Sequence, residues 1–139
     1  ISRENVTACM QASLADARCG PRDIDCINAH ATSTPVGDAA ELAALRAVFG
    51  ERLEEMPVVA NKSQVGHTLG ASTAVALCLA LRGMREGVVL PTLNHLPDPA
   101  LPPAWIPAAA TAHQHELTLL NSFGFGGTNV SLVLEQGPC

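Results

Sequence analysis

The chain has no tyrosine, one tryptophan and only three phenylalanines in 139 residues. A core built from it has to be made of alanine, leucine and valine, which suits helices packed on a sheet. Basic charge is also scarce: eight Lys and Arg stand against 13 Asp and Glu, for a formal charge of −5 and a pI near 5.4. With no basic surplus to neutralise phosphates, a general nucleic-acid binder is excluded. Charged residues make up 15% and hydrophobic ones 47%, the balance of a globular rather than a disordered chain. No CxxC pair occurs, and the five cysteines (Cys9, Cys19, Cys26, Cys78, Cys139) are odd in number. They read as reduced, mostly buried thiols, not as a disulfide framework or a zinc site. The longest uncharged apolar stretch with helical character, Leu69 to Leu81, is too short to span a bilayer. No signal peptide is visible, so the triplets beginning at Asn5, Asn61 and Asn129 are chance glycosylation matches. The length suits one domain with a sizeable core and is too short for two ordinary ones. The first residue is Ile1 rather than Met, inside a segment that leads into a helix, and we expect a fragment.

What is present alternates. Ser2 can cap a helix with Val6, Met10 and Leu14 in one stripe, stopped by Gly20-Pro21. Ile24 to Ala29 reads as a strand ending at His30. After a hydroxyl-rich turn, a helix with Leu42, Leu45 and Val48-Phe49 inward stops at Gly50. Pro57 to Ala60 reads as a buried strand feeding Asn61 to His67. Leu69 to Gly83 is a helix apolar nearly all round, expected to be central and covered on several sides. Val88 to Leu90 is a short strand, and the proline-dense Pro91 to Pro107 is an ordered, extended excursion without helix. Leu117 to Asn121 and Val130 to Leu134 close the chain as a hairpin. The order predicts an α/β fold: a mixed, mostly parallel sheet covered by helices, with a C-terminal antiparallel hairpin.

Within that hairpin lies Asn121-Ser122-Phe123-Gly124-Phe125-Gly126-Gly127-Thr128-Asn129. Three glycines in four residues permit positive φ and close approach of backbone to backbone or ligand. By itself the stretch is either a tight turn whose aromatics plug the core or a site loop facing a substrate. The placement of its neighbours favours the second, because ligands in such sheets collect beyond the C-terminal strand ends. His30, Lys62, His67 and the glycine loop all follow predicted strands. Two histidines and a lysine there form a polar pocket able to stabilise negative charge developing on an oxygen. No carboxylate or cysteine has ligand spacing with either histidine, so no metal site is expected. Asp38 and Glu41, at i and i+3 of a helix's first turn, are read as serving the helix dipole. No nucleophile is evident: no cysteine lies in a strand-to-helix elbow, and Ser122 lacks a G-x-S-x-G context.

These stretches resemble the C-terminal half of a β-ketoacyl-acyl-carrier-protein synthase, an elongating condensing enzyme of the thiolase-like superfamily. The matching segments are Ile27 to Pro35 with Gly37-Asp38 and Glu41, Lys62-Ser63 with Gly66-His67 and Leu69 to Ala71, Leu90 to Asn94, and Asn121 to Asn129. Order and spacing agree over nearly the whole chain. The resemblance implies that residues 1–139 form the C-terminal domain of an enzyme whose nucleophilic cysteine lies in an N-terminal half. It implies decarboxylative Claisen condensation of an acyl thioester with malonyl-acyl-carrier protein, in fatty-acid or polyketide elongation. By the same resemblance His30 and His67 hold the thioester carbonyl oxygen, and Lys62 orients the charge network. Thr32 and Thr34 contact the phosphopantetheine arm, and Gly126 and Gly127 belong to the substrate-binding loop. Phe125 gives an oxyanion-hole amide and a gating ring. No resident cofactor is implied, since phosphopantetheine arrives on the acyl carrier protein. The implied partners are that carrier protein and a second copy in a homodimer, with neither nucleic acid nor membrane. The expected location is a bacterial-type cytoplasm or an organelle matrix. The alternative is a non-catalytic partner subunit of the chain-length-factor kind, although such partners usually degrade the motifs intact here. Four departures stand out: Ala31 for a common glycine, Asn61 for a common threonine, Ser72-Thr73 for a small Ala-Gly pair, and Ala76 for a glutamate that pairs with the lysine. Without that glutamate, Lys62 has to find another anion or shift its pKa.

Overall fold

The computed structural model describes residues 2–101 and 103–137, with the Phe125 side chain outside that description. Helix α1 (Arg3–Asp16) starts at Ser2, whose hydroxyl accepts the Asn5 N–H, and buries the stripe Val6, Met10 and Leu14. Each such buried side chain stabilises by about 1.5–3 kcal/mol. The stripe meets Ile24, Ile27, Ala44, Leu45, Phe49, Leu119 and Phe123 in one core. This is the alanine- and leucine-rich interior that the lack of aromatics demands.

Strands β1 (Cys26–Asn28), β2 (Val58–Val59), β5 (Leu117–Phe123) and β6 (Asn129–Glu135) form a sheet in the order β2-β1-β5-β6. β1 runs parallel to both β2 and β5, and β5 pairs antiparallel with β6 from Leu117↔Glu135 to Phe123↔Asn129. The mixed sheet, its helical cover and the terminal hairpin are as the sequence pattern predicts. The central strand is shorter than Ile24 to Ala29: Cys26 to Asn28 pair with β5, and only Ile27 and Asn28 pair with β2 as well.

Helix α2 (Pro35–Phe49) has Pro at its first turn and Gly50 at its C-cap, φ 60°. The chain continues from there as a 3-10 turn, Gly50–Glu54, that buries Leu53. α3 is a single turn, Lys62–Val65, directly after β2. A 3-10 turn (Leu69–Ala71) then precedes α4 (Ser72–Glu86), which ends at the left-handed Gly87.

β3 (Val88–Val89) pairs antiparallel with β4 (Thr111–Ala112) as a separate two-stranded ribbon; β4 has no apolar alternation to announce it. Between them, the described residues of the proline-dense excursion contain no helix. Backbone bonds hold them to the body, from Val58 N–H to the Trp105 carbonyl and from Trp105 N–H to the Leu53 carbonyl, and Thr92 N–H ties the two ends together at the Pro107 carbonyl.

Two expectations are corrected. α4 is not covered all round: only Ser72, Ala80 and Met84 are buried, while Leu81 is 45% and the preceding Leu69 72% exposed. Uniform apolar character says that a helix seeks cover, and within this chain α4 finds it on one side only. The cysteines are not mostly buried either. Of the four described, only Cys26 is; Cys9 and Cys19 are half-buried and Cys78 is exposed. Cys139 lies outside the described residues. No described helix is long and apolar enough to cross a membrane.

Candidate active site

Because β1 and β5 are parallel, the segment after β1 and the end of β5 meet on one side of the sheet. Residues 29–31 are fixed there by Glu41, a helix α2 residue only 3% exposed. Its two carboxylate oxygens accept the His30 N–H at 2.9 Å and the Ala31 N–H at 2.8 Å. The Asn121 amide donates to the same carboxylate at 3.2 Å, and the Ser131 hydroxyl holds the Asn121 carbonyl at 2.9 Å. Glu41 therefore faces inward as a loop acceptor and does not serve its own helix dipole. Burial pushes its carboxyl above the usual range, against the hydrogen bonds and the Lys62 charge. The loop it fixes is strained, with Ala31 at φ 31° and Ser33 at φ 63°. A glycine would take the first of these without steric cost.

His30 is buried and its Nδ1 accepts the backbone N–H of Phe123 at 3.2 Å. A backbone N–H can only donate, so the ring proton sits on Nε2. Burial, then the positive charge of Lys62, pushes the His30 pKa down to about 4. The imidazole is thus a neutral donor at physiological pH. Across from it, at a ring-centroid distance of 6.0 Å and edge-on, stands His67. Its Nδ1 accepts the Leu69 N–H at 3.1 Å, so it too carries its proton on Nε2, and the Ser72 hydroxyl lies 2.9 Å from the same nitrogen. Two imidazoles with both Nδ1 atoms occupied offer two Nε2–H donors in one place.

Lys62, the first residue of α3, donates from Nζ to the His30 carbonyl oxygen. Burial pushes its pKa down, while Glu41 and Asp38 hold it up. No ion pair forms between Lys62 and either carboxylate among the described residues; they act on it through their charge alone. Asp38 is half-buried, and burial raises its pKa. Lys62, His67 and Thr32 line a cavity of about 920 Å³ that continues under the proline-dense excursion past Leu42, Leu93 and Leu101. The size and mixed lining suit an organic ligand with a polar reacting end. Among the described residues, no group of three or more His, Cys, Asp or Glu could hold one metal ion.

Of the remaining predicted residues that are described, Thr32 alone lines this cavity. Thr32 Oγ1 lies 3.2 Å from Thr34 Oγ1; Thr34 is exposed and forms the N-cap of α2. In the glycine loop, Gly126 and Gly127 take φ 82° and 86°, and a Cβ on either would meet nothing within 4 Å. Their surface is open. The loop backbone through Phe125 is a 3-10 turn; the predicted gating ring lies outside the described residues. Phe123, packed in the core, also supplies the amide that sets the His30 tautomer, and its ring centroid lies 5.3 Å from that of the imidazole. Its adjacency to the glycine loop is the one sequence signal for that role. Asn121 was legible as motif, but not as a partner of Glu41.

The chain is similar to known proteins over most of its length. The β-ketoacyl synthase C-terminal domain matches residues 1–95. The 3-oxoacyl-[acyl-carrier-protein] synthase 2 of Coxiella burnetii is 39% identical over 134 residues, 96% of this chain and 32% of that protein. A β-ketoacyl synthase crystal structure from Burkholderia phymatum superposes with a TM-score of 0.92 at 39% identity, covering 99% of this chain and 33% of that one. A type II polyketide ketosynthase, solved with its acyl carrier protein and bound to a hexaketide, superposes at 0.90 with 29% identity, over 95% and 33% of the two chains. The chain spans about a third of the length of the curated relatives it matches. With its mixed sheet, its paired histidines and this match through most of its length, the chain belongs to the β-ketoacyl synthase family, in the thiolase-like fold.

Proposed function

We propose that this chain supplies the decarboxylating side of a condensing enzyme, which extends an acyl chain by two carbons from malonyl-acyl-carrier protein. One observation carries the reading: His30 and His67 stand 6.0 Å apart with each Nδ1 accepting a backbone N–H, so both present Nε2–H. The malonyl thioester carbonyl oxygen accepts from both. As the bond to the terminal carboxylate breaks, CO2 leaves and its electron pair forms an enolate whose oxygen charge the two donors stabilise. Such donors are most effective when fixed in advance in a poorly solvated site. The enolate carbon then attacks the acyl thioester on the cysteine of the other half. A carbon–carbon bond forms, the carbon–sulfur bond breaks, and the thiolate departs.

In this reading Lys62 holds the His30 carbonyl and keeps the imidazole neutral. Thr32 and Thr34 receive the phosphopantetheine arm, Gly126 and Gly127 leave room for the acyl thioester, and the Phe125 amide completes the oxyanion hole. The carrier protein found with one structural relative supports an acyl carrier protein as the partner. A chain-length-factor role needs none of this hydrogen bonding, and its precision favours the catalytic reading.

His30→Ala in the complete enzyme removes one of two donors and is expected to lower malonyl-thioester decarboxylation by about 100-fold or more. CO2 release at the wild-type rate would refute the assigned role.

A further inference from the structure

The first turn of α4 carries a polar pair, Ser72-Thr73, among small and apolar neighbours. Ser72 is 8% exposed, yet its hydroxyl caps no helix amide. Instead its Oγ lies 2.9 Å from His67 Nδ1 and 3.2 Å from Thr68 Oγ1. Since Nδ1 already accepts the Leu69 N–H at 3.1 Å, it carries no proton, so the Ser72 O–H, when it points at the ring, is a second donor sharing that nitrogen's one lone pair. The serine oxygen is then left to accept from the Thr68 hydroxyl. The result is a directed chain from Thr68 through Ser72 to the ring.

The two donors to Nδ1 differ in how firmly they are held. Leu69 sits at φ 51°, a left-handed conformation that costs a non-glycine residue roughly 1–2 kcal/mol, and it is 72% exposed. Ser72 is the first residue of a 15-residue helix, a far more rigid platform. A ring held by Leu69 alone would be held by the weaker of the two.

We propose that Ser72 is a positioning residue for His67, fixing the imidazole's rotation and keeping its proton on Nε2 through the hydrogen bond from its hydroxyl to Nδ1. The proposal rests on the reading of His67 as a donor to the substrate oxygen. It assigns a mechanistic reason to the polar residue standing at this position. Ser72 does not touch the substrate; it acts through the ring.

The test uses the complete enzyme. Ser72→Ala is expected to lower kcat for malonyl-thioester decarboxylation about tenfold, the worth of one hydrogen bond, with KM within about twofold. Ser72→Thr keeps a hydroxyl and should recover most of the loss. Thr73→Val removes the neighbouring hydroxyl, whose partner is Ser122 Oγ at 2.6 Å; it controls for polarity in that turn and should fall by much less. Independently of turnover, the 15N spectrum of His67 should show one Nε2–H tautomer in the wild type and a mixture in Ser72→Ala. Wild-type kcat with an unchanged tautomer in Ser72→Ala would overturn the proposal, as would a threonine variant no better than alanine. If His67→Ala itself decarboxylates normally, the reading of the site fails, and the tautomer spectrum alone then decides the Ser72 link.

Discussion

Glu41 sets the geometry of the site without touching it. A carboxylate is an acceptor only, with room on two oxygens for several donors, and here it takes the N–H groups of His30 and Ala31 and the Asn121 amide. Glutamine has nearly the same shape but one acceptor oxygen, so its NH2 would be turned against at least one N–H. A buried donor left unsatisfied costs about 1–3 kcal/mol. Glu41→Gln should therefore lower the stability of the complete enzyme by that amount in a denaturant titration, and it should also slow decarboxylation, because the loop carrying His30 moves. A glutamine variant with an unchanged midpoint and unchanged activity would show that the carboxylate is dispensable. Sequence alone pointed the other way. An acid six residues past the start of a helix looks the same whether it faces solvent, the helix amides or a strand end ten residues upstream. His30, Lys62 and His67 were legible because each follows an apolar run and strand–helix alternation brings such positions together. Glu41 and Phe123 were not, because their roles depend on contacts across the chain, and Ser72 was not, because its role depends on how the short turn after His67 folds back on the ring.

Helix α4 poses the same question one level up. Its apolar content predicts a covered element, and one side is covered: Met84 and Ala80 are buried, while Gly83 abuts the start of β3. A Cβ at Gly83 would lie 2.6 Å from the Val88 carbonyl oxygen and 3.7 Å from His115 Nε2. In an open helix interior, replacing glycine by alanine gains up to about 1 kcal/mol. Here backbone stands in the way, and overpacking of this kind costs about 1–3 kcal/mol. The clash outweighs the propensity, so Gly83→Ala is expected to lower the thermal midpoint of the complete enzyme. A raised midpoint would mean that α4 and β3 part without cost. Hydrophobic periodicity located this helix, the flanking strands and the closing hairpin, since each buries a patterned face. It could not locate β4, two residues without alternation, or say which side of α4 this chain leaves bare.

That bare side governs the behaviour of the 139-residue stretch on its own. Ala74, Cys78 and Leu81 recur at helical spacing on exposed positions of α4, and Val65, Leu69 and Val130 are 45%, 72% and 40% exposed. Exposed apolar side chains at helical spacing mark a surface that another element covers. The chemistry is one-sided in the same way. A condensing site needs an activated thiol, which means a lowered pKa in an electropositive, accessible position. Burial instead pushes the Cys26 thiol up to about 12 and raises those of Cys9 and Cys19, and Cys78 lies out on the exposed face of α4. Among the described residues no thiol is therefore prepared to hold an acyl group, while His30 and His67 are the donors proposed above for the enolate. Expressed by itself, it is expected to self-associate in light scattering, to bind a dye for apolar surface, and to yield no β-ketoacyl product from acyl and malonyl carrier protein. Product formed by a monomeric 139-residue chain would overturn both the interface and the division of the chemistry between two halves.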